Sequence, residues 1–244
     1  MKILVIFGST SDESVYLPLV DSLKREYEVR LEILSAHKNP RELEELVKDS
    51  EEDVIFAGAG LAAHMPGIVA SKTLKPIFGL PVNAHFGGLD ATLCIQQMPF
   101  GVPVLAMGPD MASEGLDFLK SMMAYIEKYG KDKKDFHLIL NQKIKDYEYI
   151  GHEIQRATEF AKETQLNLTM SGVFEEGKLN IRLVTNEDEV EKNSPCIHVP
   201  IFDRMTLNNP TKALRVFDWI RSGGVWVGVN NTRNALLGYL RFLS

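Results

Sequence analysis

The chain has 244 residues, 45% apolar and 25% charged, with a formal net charge of −6; that suits one ordinary α/β domain or two small ones and fills a sizeable core. The acidic balance, without a dense Lys/Arg stripe, excludes nucleic acid and anionic membrane as main partners, and no apolar run approaches the ~20 residues of a membrane span. Cys94 and Cys196 belong to no CxxC pair, so they are expected as reduced, buried thiols of a cytoplasmic protein.

Ile3 to Phe7 reads as a buried strand, broken by Gly8-Ser9-Thr10-Ser11-Asp12, with Ser11 placed to cap the helix that holds Val15, Leu19, Val20 and Leu23 at helical spacing. Val29 to Leu34 is the next strand, and Pro40 suits the first position of the helix after it. Val54 to Phe56 is a third strand, followed by Ala57-Gly58-Ala59-Gly60-Leu61-Ala62-Ala63-His64-Met65-Pro66-Gly67, a small-residue turn opening into a helix. Pro76 to Val82 and Val102 to Met107 are further strands, and Asp90 to Gln97 and Ser113 to Tyr129 are helices. Strands alternating with helices predict a parallel sheet with helices on both faces, a flavodoxin-like three-layer sandwich.

The charged stretch 129–135 reads as a linker, after which the pattern restarts. Strands are expected at Phe136–Leu140, Leu166–Val173, Leu179–Val184, Ile197–Phe202 and Val225–Val229, and helices at Tyr147–Thr164, Pro210–Ile220 and Thr232–Phe242. Residues 174–178 look like a hairpin turn between the second and third of those strands. Leu80-Pro81-Val82 and Gly101-Val102-Pro103-Val104 have echoes in Val199-Pro200-Ile201 and Gly224-Val225-Trp226-Val227. The expected organisation is therefore a domain over 1–129 and a second, smaller α/β half over 136–244 that repeats the first in degenerate form; coincidence from shared α/β grammar is the alternative.

Segments that follow strand ends converge on one edge of such a sheet. Ser9 and Asp12 could serve a phosphate and a sugar hydroxyl, or simply cap a helix. Ser35-Ala36-His37-Lys38 carries the same ambiguity. His64, in the small-residue turn, is the side chain suited to moving protons near neutral pH, with a structural histidine as the alternative. His37, His64 and His85 have no metal-ligand spacing, and no Walker loop, GxSxG elbow or dinucleotide fingerprint is present.

Taken in order, Gly8–Asp12, Ser35–Pro40, Ala57–Gly67, Phe78-Gly79-Leu80-Pro81-Val82, Gly88-Leu89-Asp90 and Gln97–Val104 resemble the PurE family of purine biosynthesis over about residues 3 to 107. The resemblance implies an octamer-forming enzyme that moves a carboxylate from the exocyclic nitrogen of an aminoimidazole ribonucleotide to a ring carbon, without cofactor or metal. It implies that Ser9 and Asp12 contact phosphate and ribose, that Ser35, Ala36, His37 and Lys38 form a second phosphate loop, and that His64 is catalytic. Gly58, Ala59, Gly60, Ala62, Ala63 and Met65 would wrap the base and the migrating carboxylate. Lys38 stands where class I members usually have Arg; lysine there resembles class II members, which carboxylate aminoimidazole ribonucleotide directly with carbon dioxide. A non-catalytic nucleotide-binding protein on the same fold is the third reading. Asn234-Ala235-Leu236-Leu237 resembles the start of a helix that in ordinary members packs on a neighbouring subunit. The expected assembly is a homo-oligomer, a tetramer standing in for an octamer if the chain is a tandem duplication.

Overall fold

The computed structural model describes residues 1–61, 63–186 and 189–244. Ten strands form one sheet in the order β2-β1-β3-β4-β5-β10-β9-β8-β6-β7. In the first half these are β1 (Lys2–Phe7), β2 (Glu28–Ile33), β3 (Val54–Ala59), β4 (Ile77–Pro81) and β5 (Leu105–Ala106); in the second, β6 (Asp135–Ile139), β7 (Asn167–Ser171), β8 (Leu179–Val184), β9 (Cys196–Pro200) and β10 (Val225–Trp226). Neighbours run parallel except at the junction, where Trp226 of β10 faces Ala106 of β5 in an antiparallel pair. Both halves therefore have the doubly wound order 2-1-3-4-5, and their fifth strands join them into a single sheet.

Helices α1 (Glu13–Leu23), α2 (Pro40–Lys48), α3 (Met65–Lys72), α4 (Leu89–Gln96) and α5 (Ala112–Tyr129) follow the strands of the first half. The second half has α6 (Glu148–Glu163), the short α7 (Arg204–Leu207) and α8 (Pro210–Ala213), α9 (Arg215–Arg221) and α10 (Thr232–Leu243). Strand β1, KILVIF, is apolar and buried from Ile3 onward because a parallel strand is covered on both faces. Its alternate residues feed two cores: Ile3, Val5 and Phe7 join a cluster that runs through both halves, and Leu4 and Ile6 join one confined to the first. β2 lies at the edge and alternates Glu28, Arg30 and Glu32 with Val29, Leu31 and Ile33, a charged edge that discourages further pairing.

The two halves share details beyond strand order. Val82 N–H donates to Ala59 O at 3.1 Å and Ile201 N–H to Val184 O at 2.8 Å. Asp110 N–H donates to Pro81 O at 3.0 Å, as Asn230 N–H does to Pro200 O at 2.8 Å. Asp110 and Asn230 both have left-handed backbones (φ 59° and 53°), and each side chain accepts from the residue two after β4 or β9, Asn83 N–H at 3.0 Å and Phe202 N–H at 2.9 Å. By this register Gly108 matches Gly228, so the echo of Gly101-Val102 in Gly224-Val225 is displaced by three residues. Gly101 and Gly224 still play one role, the turn before the fifth strand.

Three expectations require correction. Residues 174–178 are not a hairpin: β7 and β8 both pair in parallel with β6, which lies between them. The Glu175–Lys178 turn is tied across β8 by Asn180, whose amide donates to Glu175 O and Lys178 O and whose Oδ1 accepts from Glu175 N–H. Next, the helix expected over 210–220 is split at Leu214, where Phe217 N–H bonds the Leu214 carbonyl only three residues back. Finally, Ser11 does not cap α1; Ser9 caps the short turn at Thr10–Asp12, its Oγ accepting Ser11 N–H at 3.1 Å.

The second half has no helix between β7 and β8, where the first has α2. On that face its strands carry polar residues closed by hydrogen bonds. His198, buried among them, is held at both ring nitrogens: Nδ1–H donates to Val225 O and Nε2 accepts from Glu191 N–H, both at 3.0 Å, so the ring is held neutral. Burial, chiefly, pushes its pKa down to about 4. The unfolded chain takes up this proton near pH 6.5, so the stabilisation is complete above that pH and is lost as pH falls toward 4, about 2 kcal/mol being gone at pH 5. Urea unfolding at pH 7.5 and pH 5 should show this loss in the native chain, and His198→Gln should remove that share of the pH dependence.

Candidate functional site

Three strand-end loops meet in one cavity of about 240 Å³. The first follows β1. Gly8 N–H donates to Gly58 O at 3.2 Å, tying this loop to β3. Ser11 Oγ–H donates to Ser9 Oγ at 2.8 Å, and Ser11 lies 3.3 Å from Asp12 Oδ1. Asp12 is 6% exposed. Burial raises its carboxyl pKa above the ordinary value, the Ser11 hydroxyl opposes that shift, and Asp110 adds to it.

The second loop follows β2. Ser35 O accepts Asn39 N–H at 2.8 Å and Ser35 Oγ accepts Lys38 N–H at 3.3 Å, so the serine closes the turn that starts α2. Pro40 takes the first helical turn, as expected. The third loop follows β3. A Cβ on Gly58 would stand 2.3 Å from the Phe7 ring, and one on Gly60 2.8 Å from Ala84 Cβ, so glycine lets both backbones approach their neighbours. Gly58→Ala is expected to cost about 2 kcal/mol through overpacking against Phe7, read as a lowered urea midpoint with an unchanged slope.

His64 occupies the position before α3, with helical backbone angles and no side-chain capping bond. Its imidazole is thus not committed to the fold. The ring of His37, from the second loop, stands edge-on to it with centroids 5.8 Å apart. The two histidines are 27 positions apart in sequence, and only the parallel order β2-β1-β3 brings them together.

Of the residues expected at the site, Ser9, Asp12, Ser35, Ala36, His37, Ala59, Gly60, Ala63, His64 and Met65 line the cavity. Gly58 lies beneath it against Phe7, and Lys38 is exposed and outside its wall. Ala62 lies outside the described residues. Gly8, Ser11, Leu61 and Ala84 complete the lining. Ala84 was absent from the sequence-based set, although its position just after β4 puts it at the same sheet edge. A larger depression of about 610 Å³ lies near Met1, Lys75 and Arg241 and contains none of these loops.

In the second half, the position after β8 that corresponds to the small-residue turn is filled. Glu189 is buried and accepts from Asn141 Nδ2–H at 3.0 Å and from Thr185 N–H at 2.7 Å. Among the described residues no group of three or more His, Cys, Asp or Glu is placed to hold a metal ion, and no helix is long and apolar enough to cross a membrane.

Sheet order and cavity define a doubly wound α/β protein whose pocket lies beyond the carboxyl ends of its strands. The sequence profile of the family described as AIR carboxylase matches residues 2–125, and the chain belongs to that family. It is 41% identical over 152 residues to the N5-carboxyaminoimidazole ribonucleotide mutase of Methanocaldococcus jannaschii, covering 54% of this chain and 96% of that protein. The Haemophilus influenzae protein of the same name is 42% identical over 117 residues, covering 44% of this chain and 70% of its own. A crystal structure of Treponema denticola PurE aligns over 66% of this chain and 97% of that one, with a TM-score of 0.42 and 17% identity.

Proposed function

We propose that the chain is an N5-carboxyaminoimidazole ribonucleotide mutase, acting at the cavity around His64. The observation that carries this reading is the convergence of the hydroxyl-rich loop at Ser9–Asp12, the Ser35–His37 loop and the small-residue turn before His64 on one cavity at the strand ends. Hydroxyls and free N–H groups suit phosphate and ribose, small residues suit close enclosure of a flat ring, and one uncommitted imidazole suits a proton shuttle.

In this mechanism the bond between the exocyclic nitrogen and the carboxylate carbon breaks, releasing carbon dioxide within the site. The nitrogen takes a proton from the His64 imidazolium. The ring carbon attacks the retained carbon dioxide, a new carbon–carbon bond forms, and the proton on that ring carbon passes back to His64. The imidazolium is regenerated and no external proton is consumed. Enclosure matters because the liberated carbon dioxide must be recaptured before it escapes.

The rival direct-carboxylation reading leans on Lys38, which stands outside the cavity wall. Supplying each substrate to purified protein separates the readings. Conversion of the carboxyamino ribonucleotide supports the mutase. Carboxylation of aminoimidazole ribonucleotide by carbon dioxide alone overturns it, and binding without turnover favours a non-catalytic protein.

The domain assignment is part of this proposal: 1–129 catalytic, and 136–244 a duplicated half retained as scaffold. Shared strand order and the plugged position at Glu189 support it. The proposed assembly is a cytoplasmic tetramer, supported by the exposed apolar side chains of Leu61, Ile68 and Phe86 near the cavity. Light scattering should give four chains per particle; a stable monomer overturns this assembly.

A further inference from the structure

We infer that the second half acts on the reaction through Asn231 and Asn234, positioning residues that hold the segment 96–101 against α3, the helix that follows His64. This rests on the proposed site at His64 and adds a role to residues outside it.

Apart from local bonds such as Gln97 N–H to Leu93 O and Met98 N–H to Gln96 O, the anchors of that segment come from the other half of the chain. Asn234, 1% exposed, donates from Nδ2 to Pro99 O at 2.9 Å and accepts Gly101 N–H at 3.0 Å. Asn231 donates from Nδ2 to Met98 O at 3.1 Å, while its Oδ1 caps α10 at Asn234 N–H. Gln96 Nε2–H donates to Val227 O at 3.0 Å, and the Arg233 guanidinium lies 3.9 Å from the centroid of the Phe100 ring. Gly101 has φ +94°, a conformation that a single glycine in a loop holds only against competing alternatives.

The segment then reaches the site. Met98 packs on the first turn of α3, so closely that a Cβ on Gly67 would stand 2.7 Å from its sulfur. Met98, Gly67, His37 and His64 line one hollow of about 420 Å³, which adjoins the substrate cavity through the two histidines. A side chain that fixes the Met98 carbonyl thereby fixes the wall beside His64. The mirror contact, Glu114 Oε2 accepting Gly224 N–H at 2.7 Å, clasps the turn of the second half from the first; the hollow beside it, about 270 Å³, is walled by Glu191, Lys192 and the start of β9 and includes neither His37 nor His64.

The test uses the full chain, with Asn234→Ala and the milder Asn231→Ser, whose hydroxyl keeps a cap on α10 but cannot reach Met98 O. Amide exchange at 97–101 and at Gly67–Ile68 should rise about tenfold or more in both variants, without a matching rise in β1 or β6. Turnover number should fall about tenfold in Asn231→Ser and about a hundredfold in Asn234→Ala, with KM within about threefold of the parent. Unchanged exchange at 97–101, exchange raised equally throughout the chain, or a loosened segment with unchanged turnover number each overturns the inference. If the parent chain lacks mutase turnover, the proposed function fails on its own. The exchange at Gly67–Ile68 then still decides the coupling: a rise upholds it and no change overturns it.

Discussion

Replacing His64 by Asn should lower the turnover number about a thousandfold, within the range of a lost general acid–base, while leaving the fold and substrate affinity nearly intact. The fold survives because the imidazole makes no capping bond to α3 and contributes nothing to the cores. Affinity should survive because, in the proposed site, Ser9, Asp12 and Ser35, which line the cavity from other loops, hold phosphate and ribose. The asparagine keeps polarity and approximate size but cannot exchange a proton. His37 provides the control: its ring lies edge-on to His64, so His37→Asn should disturb orientation and cost about tenfold or less. Turnover assays with thermal melts and substrate titration measure all three quantities. Full turnover by His64→Asn would remove the proposed mechanism, and a collapse of both variants to one level would make the histidines a coupled pair.

The first half was legible because its longer strands, β1 to β4, have local signatures. Ile3–Phe7 of β1 and VIFAGA of β3 are continuous apolar runs, and a glycine, Gly8 or Gly60, follows each where the loops of the site begin. Position after a strand end was sufficient to gather Ser9, Ser35 and His64, because a parallel sheet places all such ends on one edge. Lys38 failed this logic because the turn closed by Ser35 takes its side chain past the cavity. The hairpin at 174–178 failed for a different reason. A glycine turn between two β-type runs fixes the local bend, with Gly177 at φ +78°, but does not say which strand each run will pair with. His137 belongs to β6, between them, and its Nδ1 lies 2.8 Å from Thr169 Oγ1 of β7. That long-range pairing leaves no trace in the spacing of residues 166–184.

The junction of the halves was also hidden. β5 and β10 are each two residues long, too short to show periodicity, and their single antiparallel pairing is set by what surrounds them. The apolar cluster running under both halves supplies most of that setting. It explains why a sequence that reads as two α/β units forms one sheet. Among the described residues the second half lines no part of the cavity, so it meets the site only through the core and the segment 96–101.

Tyr239 tests whether the halves are one cooperative unit. Its side chain is fully buried in α10, its hydroxyl donates to Asn180 O at 2.7 Å, and its ring stands 5.8 Å from Phe118 of the first half and 6.0 Å from Phe136 of the second. Phe242, one turn further along α10, continues the bridge to Phe78 and Phe118. Tyr239→Ala should therefore cost about 4 kcal/mol, the range for emptying a buried aromatic site, whereas Tyr239→Phe should cost about 1 kcal/mol for the hydroxyl alone. The informative measurement is where the loss falls. If the bridge couples the halves, amide protection in β1 and in β6 drops together in Tyr239→Ala, and denaturant unfolding stays a single transition. If β6 loses protection while β1 keeps it, the first half stands alone. The second half would then be an attachment to the sheet, and the hold of Asn231 and Asn234 on segment 96–101 would be dispensable to the fold of the catalytic half.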